Sequence, residues 1–455
     1  MNDFRRIADR IAADIASGRL RPGQRLPPQR AFARRHGLAP STAGRVYAEL
    51  VRRGLVVGEV GRGTFVRATA PDGQPGHALT EAAAGAPPVN LELNYPEAAG
   101  QSEVLARTLA PLLRPDALGD ALRPAGAAGT PAAREAFAAL LEEGGVRADP
   151  ARILFTGNGR QAIAAALASL ARPGDRVGVE PLTYPLVKEI AGRLGLSLVP
   201  LAMDEEGVRP QSVAAVHRTA PLAALYLQPT LHNPTALTMG ASRRAELADV
   251  VHRLGIPVVE DRIWSFLEPG PRRVPPLAAL APDLVHLVDG LSKRVAPGLT
   301  VGFVVVPRGR GEAVARAVRA GGWSAGGFAL AAAVRWLADG TVDRLVAAKR
   351  RDAARRQRLA AEKLAGFAVR SDPAACFAWW QLPAPWRADT FTAAAREHGI
   401  AVTPGTAFSV GPGRAPDAVR LGLGSAPEPT LARALETLAT VARGGRGADS
   451  GSARW

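Results

Sequence analysis

Cysteine and lysine are almost missing from this chain, and each scarcity narrows what it can be. A single cysteine, Cys376, in 455 residues excludes an internal disulfide and fits a reducing, cytoplasmic setting. Of 57 basic residues only Lys188, Lys293, Lys349 and Lys363 are lysine, so arginine serves wherever charge alone is wanted. Arginine cannot be deprotonated in a protein and so cannot form an imine, whereas a desolvated lysine can. No apolar run reaches transmembrane length, and residues 1–10 are charged and lack the apolar core of a signal peptide, so no membrane partner is expected. No metal site and no internal repeat is expected either.

What is present is a globular composition with a lopsided charge. At 47% apolar and 22% charged, the chain can bury a large core across two or three domains. The net charge of +16 (57 − 41) favours a polyanionic partner. Residues 1–67 hold 14 arginines against five carboxylates, a surplus of 14 − 5 = +9 in about a seventh of the chain. Phe4, Ile7, Ile11 and Ile15 fall at helical spacing, a second helix opens at Pro27-Pro28 and closes at Gly37, and a third runs from Pro40 to Gly54. On the third, Ala43, Val46, Tyr47 and Leu50 form the core side, with Thr42, Arg45, Glu49 and Arg52 on another face. Two short helices with a tight turn, the second offering hydroxyls and arginines, form a helix-turn-helix pattern, and the Gly61-Arg62-Gly63 hairpin after it can put an arginine into a minor groove.

The stretches Ser17-Gly18-Arg19-Leu20-Arg21-Pro22-Gly23-Gln24-Arg25-Leu26-Pro27 and Gly61-Arg62-Gly63-Thr64-Phe65-Val66 resemble the winged helix-turn-helix of GntR-type bacterial repressors. That resemblance implies a domain over residues 1–67 that binds double-stranded DNA, with Arg30 on a phosphate, Ser41, Thr42 and Arg45 in the major groove, and Arg62 with Gly63 at the wing tip. Residues 68–88, rich in Ala, Pro and Gly, read as a linker, and the Gly- and Ser-rich 444–455 as a disordered tail.

From residue 89 onward helical patterns alternate with apolar runs at 153–155, 177–179, 223–227, 256–259, 285–288 and 303–306, the signature of a parallel α/β sheet with crossover helices. Ligands collect at the carboxyl ends of such strands. There, in order, stand the helix-opening turn Gly157-Asn158-Gly159-Arg160, which can cradle a phosphate; Tyr184, a ring able to stack; Asn233, an amide; Glu260-Asp261, a carboxylate able to keep a pyridine nitrogen protonated; and Gly290-Leu291-Ser292-Lys293-Arg294, which raises one amine above its strand.

This order resembles the fold type I pyridoxal-phosphate enzymes of the class I and II aminotransferase group, over residues 89–443. The resemblance implies a mixed, mostly parallel sheet with helices on both faces and a small C-terminal α+β subdomain. It implies that Gly159 and Arg160 touch the phosphate, Tyr184 stacks on the ring, Asn233 binds the ring oxygen, Asp261 pairs with the ring nitrogen and Lys293 forms the internal aldimine. Arg420, in Val419-Arg420-Leu421-Gly422, would grip a substrate carboxylate by a bidentate fork. Three positions depart from the pattern: Thr300 replaces a phosphate-clamping arginine, Trp264 a tyrosine, and Gly290 a frequent serine; Ser292, Arg160 and Arg294 are the candidates to replace the lost phosphate contacts. Head and body together resemble the MocR-type regulators. The expected function is a homodimeric transcription factor that carries pyridoxal phosphate and senses an amine, an amino acid or the cofactor itself. The alternative is an aminotransferase with a DNA-binding head.

Overall fold

The computed structural model describes residues 3–16, 19–20, 24–52, 55–59, 63–66, 88–270, 274–411 and 415–444. Nearly all of the expected linker, the Arg62 wing tip and the expected tail past residue 444 lie outside the described residues.

Near the N-terminus the helical spacing becomes α1 (Asp3–Ala16), β1 (Arg25–Leu26), α2 (Gln29–Arg35), α3 (Pro40–Arg52), β2 (Val56–Glu59) and β3 (Gly63–Val66). β3 pairs antiparallel with both β1 and β2, so the wing closes back on the strand that precedes α2. Ala43, Val46, Tyr47 and Leu50 of α3 are buried against Ile11, Ile15 and Phe32. The Tyr47 hydroxyl donates to the Pro27 carbonyl at 2.5 Å, which fixes the entry to α2. Glu49, expected on the outer face, is instead 9% exposed: three residues after Val46, it stands at the border of the core stripe.

In the body, seven strands form one sheet: β4 (Ile153–Thr156), β5 (Arg176–Val179), β6 (Ser197–Pro200), β7 (Ala224–Leu227), β8 (Val258–Asp261), β9 (Val285–Gly290) and β10 (Gly302–Val305). The spatial order is β4-β10-β9-β8-β7-β5-β6. All neighbours are parallel except at β10, which runs antiparallel to both β9 and β4. An apolar run carries no sign of its direction, so periodicity could not separate β10 from the others. Strands covered on both faces need apolar residues at consecutive positions, as β4, β7 and β9 have. β6 has a half-exposed Ser-Leu-Val-Pro stretch and lacks that signature. β8 begins two residues later than its apolar run because Pro257 has no N–H to give the ladder.

Helix α4 (Gly159–Leu170) follows β4. It is capped by Asn158, whose side chain accepts from the Gln161 amide, and is buried on all sides from Ala162 to Leu167. The small lobe is a four-stranded antiparallel sheet, in the order β11 (Ala368–Arg370), β12 (Phe377–Gln381), β14 (Ala418–Gly422) and β13 (Thr403–Pro404). The 23-residue α5 (Thr341–Lys363) reaches it from the large sheet, and α6 (Glu428–Gly444) packs beside α5.

Under the sheet, Phe137 meets Phe155 and Phe303 edge to face, at centroid distances of 5.1 and 5.0 Å. It is fully buried and ties β4 and β10 to the helix before them. Phe137→Ala is expected to cost about 3–5 kcal/mol, read as a lower urea midpoint with an unchanged slope; a shift below about 1 kcal/mol would show that this contact is dispensable.

Candidate functional site

The sheet's carboxyl edge, the small lobe and the residue 92–95 stretch bring seven chain segments to one cavity of about 140 Å³. Lys293, Asp261, Tyr184, Asn233, Arg420, Ser292, Gly159 and Arg160 all line it, although they come from positions up to 261 residues apart. Register explains the first pair: Asp261 ends β8 beside Val288 of β9, five residues before Lys293.

The Lys293 Nζ donates to the Asn94 carbonyl at 2.9 Å and lies 3.7 Å above the Tyr95 ring and 5.3 Å from the Trp264 ring. Burial first, and then the nearby Arg420 guanidinium, hold the Lys293 amine well below the usual lysine range. A neutral amine is the form that can act as a nucleophile. Asp261 is buried with both oxygens engaged: Oδ2 accepts from the Tyr226 hydroxyl at 2.7 Å and Gln228 Nε2 at 2.8 Å, and Oδ1 accepts from the Ile263 amide at 3.0 Å. Desolvation raises the Asp261 pKa and these donors oppose it. Beneath it, Glu180 accepts from the Gln228 amide at 2.6 Å, and burial pushes this carboxyl up to about 8.

Arg420 projects from β14, buried. Its Nη2 donates to the Glu92 carbonyl and to Thr403 Oγ1 at 3.1 Å, Nη1 reaches Asn233 Oδ1 at 3.5 Å, and Nε has no partner. Burial brings this guanidinium down to about 10.

The start of α4 comes to the cavity through two glycines. A Cβ on Gly302 would stand 2.1 Å from the Asn158 carbonyl carbon, and one on Gly290 would meet the Val301 carbonyl at 3.0 Å. Gly302 is therefore the tight neighbour of the helix start, and Gly290, packed on the Val301 carbonyl, leaves little room for a side chain such as the serine expected there. Thr300 and Trp264 also line the cavity, and the buried Thr300 hydroxyl has no partner.

One expected residue turns away. Arg294 was expected at the phosphate, but its Nη1 pairs with Asp289 Oδ1 at 2.5 Å and donates to the Gly290 carbonyl at 3.0 Å, and it does not line the cavity. The buried Asp289 carboxylate and the Gly290 carbonyl hold the Arg294 guanidinium away from the cavity. Other residues were not foreseen. Tyr226 and Gln228 share one strand face by the period of two, a signal that was available; Asn94 and Tyr95 arrive from 199 and 198 residues before Lys293, with no local signal at all.

On α2 and α3, Arg30, Ser41 and Arg45 are exposed and Thr42 is half-buried. The Arg45 guanidinium lies 4.4 Å above the Phe4 ring. Gly63 has φ +120°, and a Cβ there would come within 2.6 Å of Arg25 Nε, so the wing's return needs glycine. Arg62 itself lies outside the described residues.

Comparison with known proteins supplies the family. Residues 89–438 match the aminotransferase class I and II family, and residues 4–66 match the gntR family of bacterial regulatory proteins. The chain belongs to the MocR-type family. The MocR-type chain is 30% identical over 428 residues, 92% of its length and 90% of the relative's, to the uncharacterized HTH-type transcriptional regulator YdeF of Bacillus subtilis. It is 24% identical, over 74% of its own length and 73% of the relative's, to the HTH-type pyridoxine biosynthesis transcriptional regulator PdxR of Corynebacterium glutamicum. In fold it is similar to LysN, an alpha-aminoadipate aminotransferase of Thermus thermophilus solved with N-(5'-phosphopyridoxyl)-L-leucine: TM-score 0.71, 24% identity, 78% of this chain and 92% of that one. Among the described residues, no helix is long and apolar enough to cross a membrane.

Because Arg420 is the second cause that lowers the Lys293 pKa, Arg420→Gln is expected to raise it. The pH profile of Lys293 modification by formaldehyde and borohydride, read by peptide mass spectrometry, should then move to higher pH. An unmoved or lowered profile would contradict the electrostatic arrangement described.

Proposed function

We propose that this MocR-type chain is a DNA-binding transcriptional regulator that holds pyridoxal phosphate at Lys293 and reports an amine, an amino acid or the cofactor itself to its DNA site. What supports this reading above all is the convergence of Lys293, Asp261, Tyr184, Asn233 and the start of α4 on one cavity, in a chain whose residues 4–66 match the gntR family. The donor set fits the cofactor: an amine held neutral, a buried carboxylate, a ring, an amide, a helix start and the unpartnered hydroxyl of Thr300. When bound, pyridoxal phosphate supplies an aldehyde that condenses with amines and a ring that withdraws electrons.

Each residue then has a task. Lys293 is the attachment point, and burial, which lowers the pKa of its amine, favours the form with a free lone pair. Asp261, oriented by Tyr226 and Gln228, holds a proton on the ring nitrogen. Tyr184 covers a ring face, Asn233 donates to the ring oxygen, and Gly159, Arg160, Ser292 and Thr300 take the phosphate through helix-start amides, a guanidinium and hydroxyls. Arg420 receives an effector carboxylate, for which its unpartnered Nε is free. Arg30, Ser41, Thr42, Arg45, Arg62 and Gly63 serve the DNA, two copies of the chain reading paired half-sites as a cytoplasmic homodimer. The effector shifts DNA affinity only as far as it binds the two arrangements of the dimer differently. The name of the Corynebacterium glutamicum relative, a pyridoxine biosynthesis regulator, favours the cofactor as one such effector.

Two measurements test this. A visible absorbance band should appear on adding pyridoxal phosphate to the purified chain and be missing from Lys293→Ala; no band in either protein removes the cofactor from the reading. On promoter DNA, log affinity should fall linearly with log salt as arginines release condensed counterions, and a flat response would remove the N-terminal helices as the DNA site.

A further inference from the structure

Helix α5 carries a stripe of buried polar side chains that the cavity does not use. Lys349 is fully buried, and Asp352, Arg356 and Gln357 are each less than a tenth exposed. Lys349, Asp352 and Arg356, spaced by three and four, share one helical face, and Gln357 lies beside it. Buried polar groups need partners, and here the donors grip backbone carbonyls at the ends of other elements. Lys349 Nζ donates to the Lys293 carbonyl at 3.0 Å and to the Val295 carbonyl at 2.7 Å. Seven residues on, about 10 Å along the helix, Arg356 Nη1 donates to the carbonyls of Leu423 at 2.6 Å and Ala426 at 2.5 Å, just past the strand that carries Arg420. Gln357 Nε2 donates to the carbonyls of Ala375 at 2.7 Å and Phe377 at 3.0 Å, at the head of β12.

We infer that Lys349 is a positioning residue for Lys293: its ammonium clamps the two carbonyls that flank Arg294, and α5 thereby ties the reactive turn to the strand bearing Arg420. The inference rests on the reading of Lys293 as the reactive amine.

The choice of residue supports it. In a chain with four lysines among 57 basic residues, two of the four meet at this turn. A guanidinium is broad and planar, whereas a compact ammonium fits between two carbonyls two residues apart. Electrostatics run the same way. The charged and titratable neighbours of Lys293 include Arg420, Cys376, Arg160, Lys349 and the Tyr95 phenol ring, and those of Lys349 include Cys376 and Glu97. Burial pushes Lys349 down to about 8, so at neutral pH it is mostly charged, and that charge helps to keep Lys293 neutral. The clamp therefore orients the Lys293 turn and lowers the proton affinity of its amine.

The test is the pH profile of Lys293 methylation by formaldehyde and borohydride in the full chain stripped of any bound cofactor, with Lys363 as internal reference. It reads the free amine and gives the same answer whether or not the chain takes up pyridoxal phosphate, so its failure is distinct from failure of the functional reading. In Lys349→Met the Lys293 midpoint should rise by roughly half a pH unit, about threefold in rate at a pH well below the midpoint, and the plateau rate at high pH should also fall. Lys349→Gln keeps amide donors without charge; it should recover most of the plateau but not the midpoint. Lys363 should not move in either. Wild-type profiles in both variants would overturn the proposal. If the Met variant does not fold, the Gln midpoint decides: a rise supports the clamp and no change overturns it. Failure of both to fold would make Lys349 a structural residue and overturn it equally.

Discussion

Everything at the cavity depends on keeping one amine dry. Exclusion of water is the main reason the Lys293 amine is held well below the usual lysine range, and exclusion requires the sheet edge, the small lobe and the Asn94–Tyr95 segment to close around it together. A lysine at the end of an isolated strand would be hydrated, protonated and inert. The cationic groups around it add to the effect, since each disfavours a further charge in a medium that screens poorly.

The same exclusion dictates the pairing of the other ionisable groups. A buried charge left alone is costly, so Arg294 meets Asp289, Arg356 meets Asp352, and Asp261 collects three donors. These contacts give no reactivity themselves. They hold the backbone around Lys293 in one arrangement, which is what a site needs if its ligand is to be felt elsewhere in the molecule. The cavity lies in a chain whose residues 89–438 match the aminotransferase class I and II family and whose residues 4–66 match the gntR family, and Thr300, with an unpartnered hydroxyl, and Trp264 are part of its lining.

Both the helix-turn-helix and the sheet are legible in the amino-acid order because their local signals are strong. α3 shows its apolar stripe at 43, 46, 47 and 50, and β4, β7 and β9 are apolar runs bounded by turn residues. The half-exposed β6 has too few apolar residues to register, and the antiparallel sense of β10 has no local signature. At the site, residues at strand ends (Gly159, Tyr184, Asn233, Asp261, Lys293) can be placed because each follows the end of an apolar strand run. Arg294 is misplaced by the same reasoning because a turn's sequence does not say which of two neighbours faces in.

Sequence alone determined what depends on short range: the helical and strand periods, the glycine turns, the charge surplus of the first 67 residues, and a lysine so rare that its position carried information. Tertiary structure decided what depends on chain segments meeting. It decided that Asn94 reaches Lys293 across 199 residues, that the α4 start presses against Gly302 and the Val301 carbonyl against Gly290, and that Lys349 lies under the turn it grips. The physical reason is that burial, and with it every shifted pKa and every orphaned or satisfied polar atom, is a property of the whole packed chain and is written in no single stretch of it.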